Sequence, residues 1–188
     1  MMRLIYLVGA PGSGKSTLCR AVRAGYLVER LARPVRHTTQ RAQPDAGVAW
    51  AELGWPRHPF AGTDSLAMNV QPAVVEWLSR HPYSTVLGEG DRLANGRFLE
   101  AVRASDAVVT VVWLDTPAEV AAARRAARAA TVGREQSPPW VKGRMSKVLN
   151  LVGREPVVER IDGSAPLGVQ ADTLTALLGV SPAGVRTA

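Results

Sequence analysis

Residues 2–22, MRLIYLVGAPGSGKSTLCRAV, decide the fold, because an apolar run meets a glycine-rich loop and then a helical pattern. Residues 4–8 are apolar or aromatic without interruption, which is typical of a buried parallel strand. Beyond the loop, Leu18 and Val22 recur at helical spacing. A strand that leads through glycines into a helix begins an α/β unit.

The loop at residues 9–17, GAPGSGKST, matches the pattern G-x-x-x-x-G-K-[ST]. Its glycines let backbone N–H groups surround a phosphate, Lys15 can reach the β- and γ-phosphate oxygens, and the Ser16 hydroxyl can ligate Mg²⁺. The alternative is a structural glycine turn, which the position between strand and helix disfavours. We therefore expect ATP and Mg²⁺ to bind a set of loop residues: Gly9, Gly12, Ser13, Gly14, Lys15, Ser16 and Thr17.

Further strands are predicted at residues 34–39, 84–89, 107–115 and 156–163, with helices between them. We expect one of these helices over residues 64–80 and another to begin with Thr116 as its N-cap. Residues 40–62 are rich in Gly, Pro and Trp, and we interpret them as a long functional loop. The alternation predicts an α/β fold with a five-stranded, mostly parallel sheet and helices on both faces, in a single domain over residues 1–180 with a flexible tail at 181–188.

The charge and the cysteine content indicate which partners and which cell compartment to expect. The formal net charge of +7 favours polyanionic partners such as nucleic acid, although an arginine-rich coding habit would give the same value. The single cysteine, Cys19, cannot form a disulfide within the chain, so we expect a reducing cytoplasm. No apolar run approaches the roughly 20 residues that span a bilayer. We expect no membrane association, and a monomer or a dimer.

Basic residues cluster after the strand at 107–115, on two helical segments around a Gly/Pro-containing break. Such a segment suits a lid over residues 124–147, whose cations would stabilise a transferring phosphoryl group. The alternative is a solvated basic helix face. Arg124 and Arg128 lie one helical turn apart and are our candidates for catalytic lid residues. The whole set is Arg124, Arg125, Arg128, Arg134, Lys142, Arg144 and Lys147.

This segment, VVWLDTPAEVAAARRAAR at residues 111–128, resembles the fourth strand and lid-bearing helix of P-loop kinases of the nucleoside monophosphate, gluconate and shikimate kinase type. The order of elements resembles theirs over nearly the whole chain. The resemblance implies an ATP-dependent phosphotransferase with a mobile lid and an acceptor beyond the γ-phosphate. It also implies that the loop DGSAP, with Gly163 and Ser164, holds the adenine.

Two acids could serve a phosphoryl transfer. Asp64 either caps a helix or takes the proton of the acceptor hydroxyl, and the resemblance favours a base at this place. Glu89 ends a predicted strand, where it could hold Mg²⁺, although the two acids could exchange roles. Asp91 and Arg92, in the same segment as Glu89, either bind substrate or pair with each other.

Three blocks, FAGTDSLAMN (60–69), VLGEGDRLAN (86–95) and WVKGRMSKVLNL (140–151), resemble bacteriophage kinases that phosphorylate 5-hydroxymethylpyrimidines, notably 5-hydroxymethyluracil, within DNA. This resemblance implies modified DNA as partner, with Trp55 and Phe60 at the base and Lys142 and Arg144 at the DNA or the lid. The aromatic residues could instead pack the loop onto the core. Two alternatives remain, namely a kinase of a free nucleoside, nucleotide or metabolite, and a P-loop ATPase switch.

Overall fold

A computed structural model describes residues 1–56, 62–133 and 135–181. Its strands form one sheet of seven, in the order β2-β3-β4-β5-β1-β6-β7. The strands are β1 (Arg3–Val8), β2 (Leu27–Leu31), β3 (His37–Arg41), β4 (Trp50–Leu53), β5 (Thr85–Glu89), β6 (Val108–Asp115) and β7 (Val158–Asp162).

Five strands run parallel in the order β4, β5, β1, β6 and β7, while β3 is antiparallel to β4 and β2 is antiparallel to β3. The expected sheet of five strands was therefore wrong, because it lacked β2 and β4. The helical pattern of Leu18 and Val22 gives no sign of a strand at Leu27, which is half exposed on edge strand β2. Strand β4 lies inside residues 40–62, which we had interpreted as a loop.

The helices are α1 (Lys15–Arg23), α2 (Gln71–Ser79), α3 (Gly96–Arg103), α4 (Ala118–Val132), α5 (Pro138–Val152) and α6 (Leu167–Leu178). A short 3-10 turn, Gly62–Ser65, precedes α2. The helix predicted over residues 64–80 thus begins seven residues late, with Pro72 in its first turn, where a missing N–H costs nothing. Asp64 lies on the 3-10 turn and does not cap α2.

Alternation along β1 divides the core between the two faces of the sheet. Ile5 and Leu7 face α1 and α6, where they pack with Leu18, Val22 and the chain's single cysteine, Cys19. Leu4, Tyr6 and Val8 face the opposite cluster, to which α2, α3 and α5 contribute. Within the described ranges no helix is long and apolar enough to cross a bilayer.

The parallel strands end at one edge of the sheet, and this edge positions the site. The loop after β1 carries the glycine-rich motif, and the loop after the neighbouring β5 carries Glu89 to Arg92. The loops after β6 and β7 reach the same edge, because those strands run parallel to β1. Ligands of open α/β sheets bind at this edge.

Candidate active site

The glycine-rich loop forms an anion-binding cradle at the start of α1. Gly12 and Gly14 have φ values of 86° and 105°, in the left-handed region that favours glycine. The Lys15 ammonium donates to the backbone oxygens of Gly9 at 2.7 Å and Ala10 at 3.2 Å. Burial lowers the pKa of Lys15, and the Glu89 and Asp64 carboxylates act in the opposite direction. A cation therefore lies among the free N–H groups of a helix start, which suits a phosphate.

Glu89 lies beside this cradle at the end of β5. The Ser16 hydroxyl donates to Glu89 Oε1 at 3.0 Å, and Glu89 is only 2% exposed. Burial raises the pKa of Glu89 to about 7, Lys15 opposes this change, and Glu52 and Asp64 add to it. A hydroxyl and a carboxylate are hard oxygen ligands, so this pair can hold Mg²⁺ together with phosphate and water. The structure brings Ser16 and Glu89 together, and their role as Mg²⁺ ligands stays a prediction.

Asp64 caps the loop that follows β5. Its Oδ1 accepts the backbone N–H groups of Asp91 at 3.0 Å and Arg92 at 2.9 Å. The neighbouring Thr63 hydroxyl donates to the backbone oxygen of Glu89 at 2.9 Å. Two acids that are 25 positions apart in the sequence are therefore brought to one place. A capping role and a role at the acceptor hydroxyl are compatible, because the cap occupies one carboxylate oxygen.

Asp91 and Arg92 do not pair with each other through their charges. The Asp91 carboxylate forms ion pairs with Arg144 and with Lys147, and Lys147 Nζ also donates to the Asp91 backbone oxygen at 2.7 Å. Arg92 instead donates to the Asp64 backbone oxygen at 3.3 Å and contacts the Met68 sulfur. Helix α5 is thus attached to the loop that Asp64 caps.

Two arginines of α4 reach the glycine-rich loop. Arg124 donates to the backbone oxygens of Ser13 at 2.8 Å and Gly163 at 3.2 Å, and Arg125 donates to that of Pro11 at 2.8 Å. We had paired Arg124 with Arg128, but Arg128 is exposed and has no hydrogen-bond or ion-pair partner among the described residues. Two adjacent side chains on α4 thus contact the glycine-rich loop at two positions, Ser13 and Pro11.

The loop after β7 packs against the start of the loop after β6, which in turn contacts the glycine-rich loop. Gly163 is buried, and its N–H donates to the Asp115 backbone oxygen at 2.7 Å. Thr116 donates its hydroxyl to the Ser13 backbone oxygen at 3.1 Å. The expected N-cap role of Thr116 was therefore wrong, and Pro117 occupies that position. Ser164 is exposed and donates to Asp162 Oδ1 at 2.6 Å, beside the place where Arg124 bridges the two loops.

The remaining predicted residues are more dispersed. Arg144 lies over the Trp140 ring at 5.3 Å, and Lys142 is exposed on the same helix. Trp55 donates from Nε1 to the His37 backbone oxygen at 3.2 Å, and so contacts the β2–β3 hairpin. Phe60 and Arg134 lie outside the described residues.

Sequence reasoning named Arg125 only as one member of the basic lid set, and it missed the Tyr6 hydroxyl and the ion pair between Arg23 and Glu52. Tyr6 OH lies 3.1 Å from Thr63 Oγ1. Glu52 on β4 is almost fully buried, and its charge helps raise the pKa of Glu89. An acid among apolar residues in WAEL was the available signal for Glu52, once β4 is recognised as a strand. Nothing in the sequence distinguishes Tyr6 from an ordinary core residue.

Known proteins share this architecture. A sugar kinase from Janibacter sp. HTCC2649, solved without ligand, is 17% identical, with a TM-score of 0.51 over 97% of this chain and 98% of that chain. A gluconokinase from Sinorhizobium meliloti 1021 is 16% identical, with a TM-score of 0.52 over 94% of this chain and 91% of that chain. At these identities the likeness shows the fold alone. A search of curated proteins gave no match.

A family model matches most of the chain. The family described as P-loop Nucleotide Kinase3 matches residues 1–167. This range includes the glycine-rich loop, both acids of the site and the two basic helices α4 and α5. The chain therefore belongs to the P-loop Nucleotide Kinase3 family.

Proposed function

We propose that this chain is an ATP-dependent kinase that transfers the γ-phosphate to a hydroxyl group. One observation carries the proposal, namely the convergence of a phosphate cradle, a Ser16–Glu89 pair at 3.0 Å and a second acid, Asp64, at one edge of the sheet. Family membership supports a phosphotransferase. Phosphoryl transfer requires positioning, positive charge and an acid at the attacking hydroxyl, and these residues can supply all three.

On the nucleotide side, backbone N–H groups of the loop and the Lys15 ammonium would hold the phosphates. Lys15 now donates to two loop carbonyls, and phosphate oxygens would replace these weaker acceptors. Ser16 and Glu89 would hold Mg²⁺, which would supply positive charge to the nucleotide phosphates. Arg124, which bridges the loops after β1 and β7, would fix the nucleotide against α4.

On the acceptor side, Asp64 would take the proton. Its Oδ1 is held by two backbone N–H groups, so its Oδ2 can face an acceptor hydroxyl with little freedom to turn away. The acceptor oxygen forms a bond to the γ-phosphorus while the bond from that phosphorus to the bridging oxygen of ADP breaks. The hydroxyl proton passes to Asp64, and the products are ADP and a phosphate monoester.

For the acceptor we propose the hydroxymethyl group of 5-hydroxymethyluracil, or of a related 5-hydroxymethylpyrimidine, in phage DNA. The formal charge of +7 and the three sequence blocks support this choice. A further support is Trp140, which is 43% exposed and lies against Arg144 on the helix that Asp91 holds. An exposed aromatic ring beside cations suits a base that has left its stack.

A free nucleoside, nucleotide or small metabolite is the second candidate, and a cavity favours it. A cavity of about 410 Å³ adjoins the 3-10 turn that carries Asp64, lined by Val35, Arg36, Ser65, Leu66 and Val70 among others. Its volume suits a small molecule, and Arg36 would supply a positive charge for an anionic one.

The test is transfer of labelled γ-phosphate to three kinds of acceptor, with Lys15→Ala as the inactive control. The acceptors are duplex DNA containing 5-hydroxymethyluracil, the same duplex with thymine, and a panel of free nucleosides, nucleotides and sugar acids. Label on the modified duplex alone, with affinity that falls steeply as salt rises, supports the DNA proposal. Label on a free compound alone moves the assignment to the second candidate. ATP loss that no acceptor accelerates indicates an ATPase switch and contradicts both.

A further inference from the structure

The Tyr6 hydroxyl lies where three segments of the proposed site meet. Tyr6 is fully buried on β1, with its hydroxyl 3.1 Å from Thr63 Oγ1 and 3.2 Å from the Gly90 backbone oxygen. Thr63 gives its own proton to the Glu89 backbone oxygen, so the single proton of the Tyr6 hydroxyl is shared between Thr63 Oγ1 and the Gly90 backbone oxygen. Burial raises the pKa of Tyr6, and the hydroxyl therefore keeps its proton.

Three glycines allow this close approach. Gly88 lies opposite Tyr6 on β5, and a Cβ there would come within 2.6 Å of the tyrosine ring. Gly62 and Gly90 have φ values of 55° and 114°, and a Cβ on Gly90 would lie 2.8 Å from Thr63 Oγ1. The backbones of the 3-10 turn and of the loop after β5 therefore lie in close contact, and the Tyr6 hydroxyl on β1 contacts both segments.

We propose that Tyr6 is a positioning residue, whose hydroxyl acts through Thr63 to hold Asp64 at a fixed place relative to Glu89. The proposal rests on the proposed function, in which Asp64 takes the acceptor proton. The two acids lie on different segments, and Asp64 reaches the loop after β5 through the N–H groups of Asp91 and Arg92. Because a displacement of about 1 Å can cost roughly 100-fold in rate, a fixed separation matters for phosphoryl transfer.

The test compares two tyrosines that each lose one hydroxyl. Tyr6→Phe removes the donor to Thr63, and Tyr83→Phe removes a 3.0 Å hydrogen bond to Nε2 of His37, which lies on β3 and is separated by β4 from the strand that carries Glu89. We expect Tyr6→Phe to lower kcat about tenfold with the KM for ATP unchanged, since Asp64 shifts while the phosphate cradle stays. Tyr83→Phe should keep kcat within about twofold of the wild type.

Thr63 provides a second pair of variants. Thr63→Val keeps the shape but removes the hydroxyl that bridges Tyr6 and Glu89, and Thr63→Ser retains that hydroxyl. We expect the valine variant to resemble Tyr6→Phe and the serine variant to recover most of the rate. If Tyr6→Phe fails to fold, this pair decides the question, and equal rates for valine and serine would overturn the proposal.

A readout without an acceptor separates this proposal from the proposed function. Hydrogen exchange at the backbone amides of Asp91 and Arg92 reports whether Asp64 still holds the loop. We expect exchange about fivefold faster in Tyr6→Phe than in the wild type or Tyr83→Phe. Unchanged exchange in Tyr6→Phe overturns the positioning role whatever the acceptor is, and so does faster exchange with an unchanged kcat. If the wild type phosphorylates no acceptor, the proposed function fails while the exchange result still decides whether Tyr6 holds the loop.

Discussion

Replacing Asp64 by asparagine separates the capping role of this residue from a chemical one. The asparagine amide has nearly the same shape, and its oxygen can still accept the N–H groups of Asp91 and Arg92. In the wild type these groups lie 3.0 and 2.9 Å from Asp64 Oδ1. The hydrogen bonds lose their charged acceptor, and since Asp64 is half-buried we expect a loss of about 1 kcal/mol in unfolding free energy. In a domain of this size that lowers Tm by about 2–4 °C.

The rate should change far more than the stability. An amide cannot take a proton, so kcat should fall about 100- to 10,000-fold if Asp64 acts on the acceptor hydroxyl. The assay is steady-state transfer of γ-phosphate, with ATP binding followed by calorimetry and Tm by circular dichroism. ATP affinity should stay within about threefold, because the P-loop contacts are untouched.

Asp64→Ala is the matched control for the cap. It removes both hydrogen bonds to the loop, and we expect a loss of about 2–3 kcal/mol in unfolding free energy. If Asp64→Asn keeps kcat within about fivefold of the wild type while Asp64→Ala is destabilised, the residue is only a cap and the reasoning is refuted. A large rise in the Kd of ATP in Asp64→Asn would contradict the assignment of this acid to the acceptor side.

Four further changes test other parts of the structure. Lys15→Ala should lower transfer by at least about 100-fold in an unchanged fold, and normal turnover would refute the phosphate-loop assignment. Because burial raises the pKa of Glu89 from 4.5 to about 7, the native carboxyl keeps a proton that the unfolded chain loses between these values. The contribution of Glu89 to the free energy of unfolding therefore declines as the pH rises through that window. When the pH is lowered from about 7.5 to about 6, the Mg²⁺ concentration that gives the half-maximal rate should rise roughly tenfold. In Glu89→Gln this Mg²⁺ concentration should be nearly independent of pH. Gly62→Ala, at φ 55° with Glu89 side-chain atoms within 2.8 Å of a Cβ, should cost about 1–3 kcal/mol, measured by urea unfolding. Gly143→Ala in α5, where a Cβ meets nothing within 4 Å, should gain about 0.5–1 kcal/mol, and equal effects at the two glycines would contradict the packing described.

The nucleotide half of the site could be predicted from the sequence because its residues are neighbours in the chain. Gly9 to Thr17 lie in one motif, and the hydrophobic pattern before and after it fixes a strand and a helix. Ser16 and Glu89 come from different segments, yet the end of an adjacent strand was a sufficient signal. The contact at 3.0 Å shows that the two side chains lie together, while their role in holding Mg²⁺ stays a prediction.

The acceptor half could be predicted only in part, because its contacts join distant segments. The sequence singles out Asp64, but the N–H groups that it accepts come 27 and 28 residues later. Strand β4 was missed because its four residues are all buried and so show no alternation. Strand β2 was missed for the opposite reason, since four of its five residues are exposed and show no buried face. It is recognised as a strand through its hydrogen-bonded pairing with β3.

Cys19 gives the unmodified protein an internal reporter. It is the chain's one cysteine, it is buried, and it lies on α1 against the sheet, three residues after Ser16. Burial also raises the pKa of this thiol, so it reacts slowly with alkylating reagents while α1 stays in place. The rate of alkylation therefore measures how often the helix behind the phosphate loop leaves the sheet. A comparison of the alkylation rate with and without nucleotide therefore shows whether nucleotide at the phosphate loop holds α1 on the sheet. This comparison needs no engineered label.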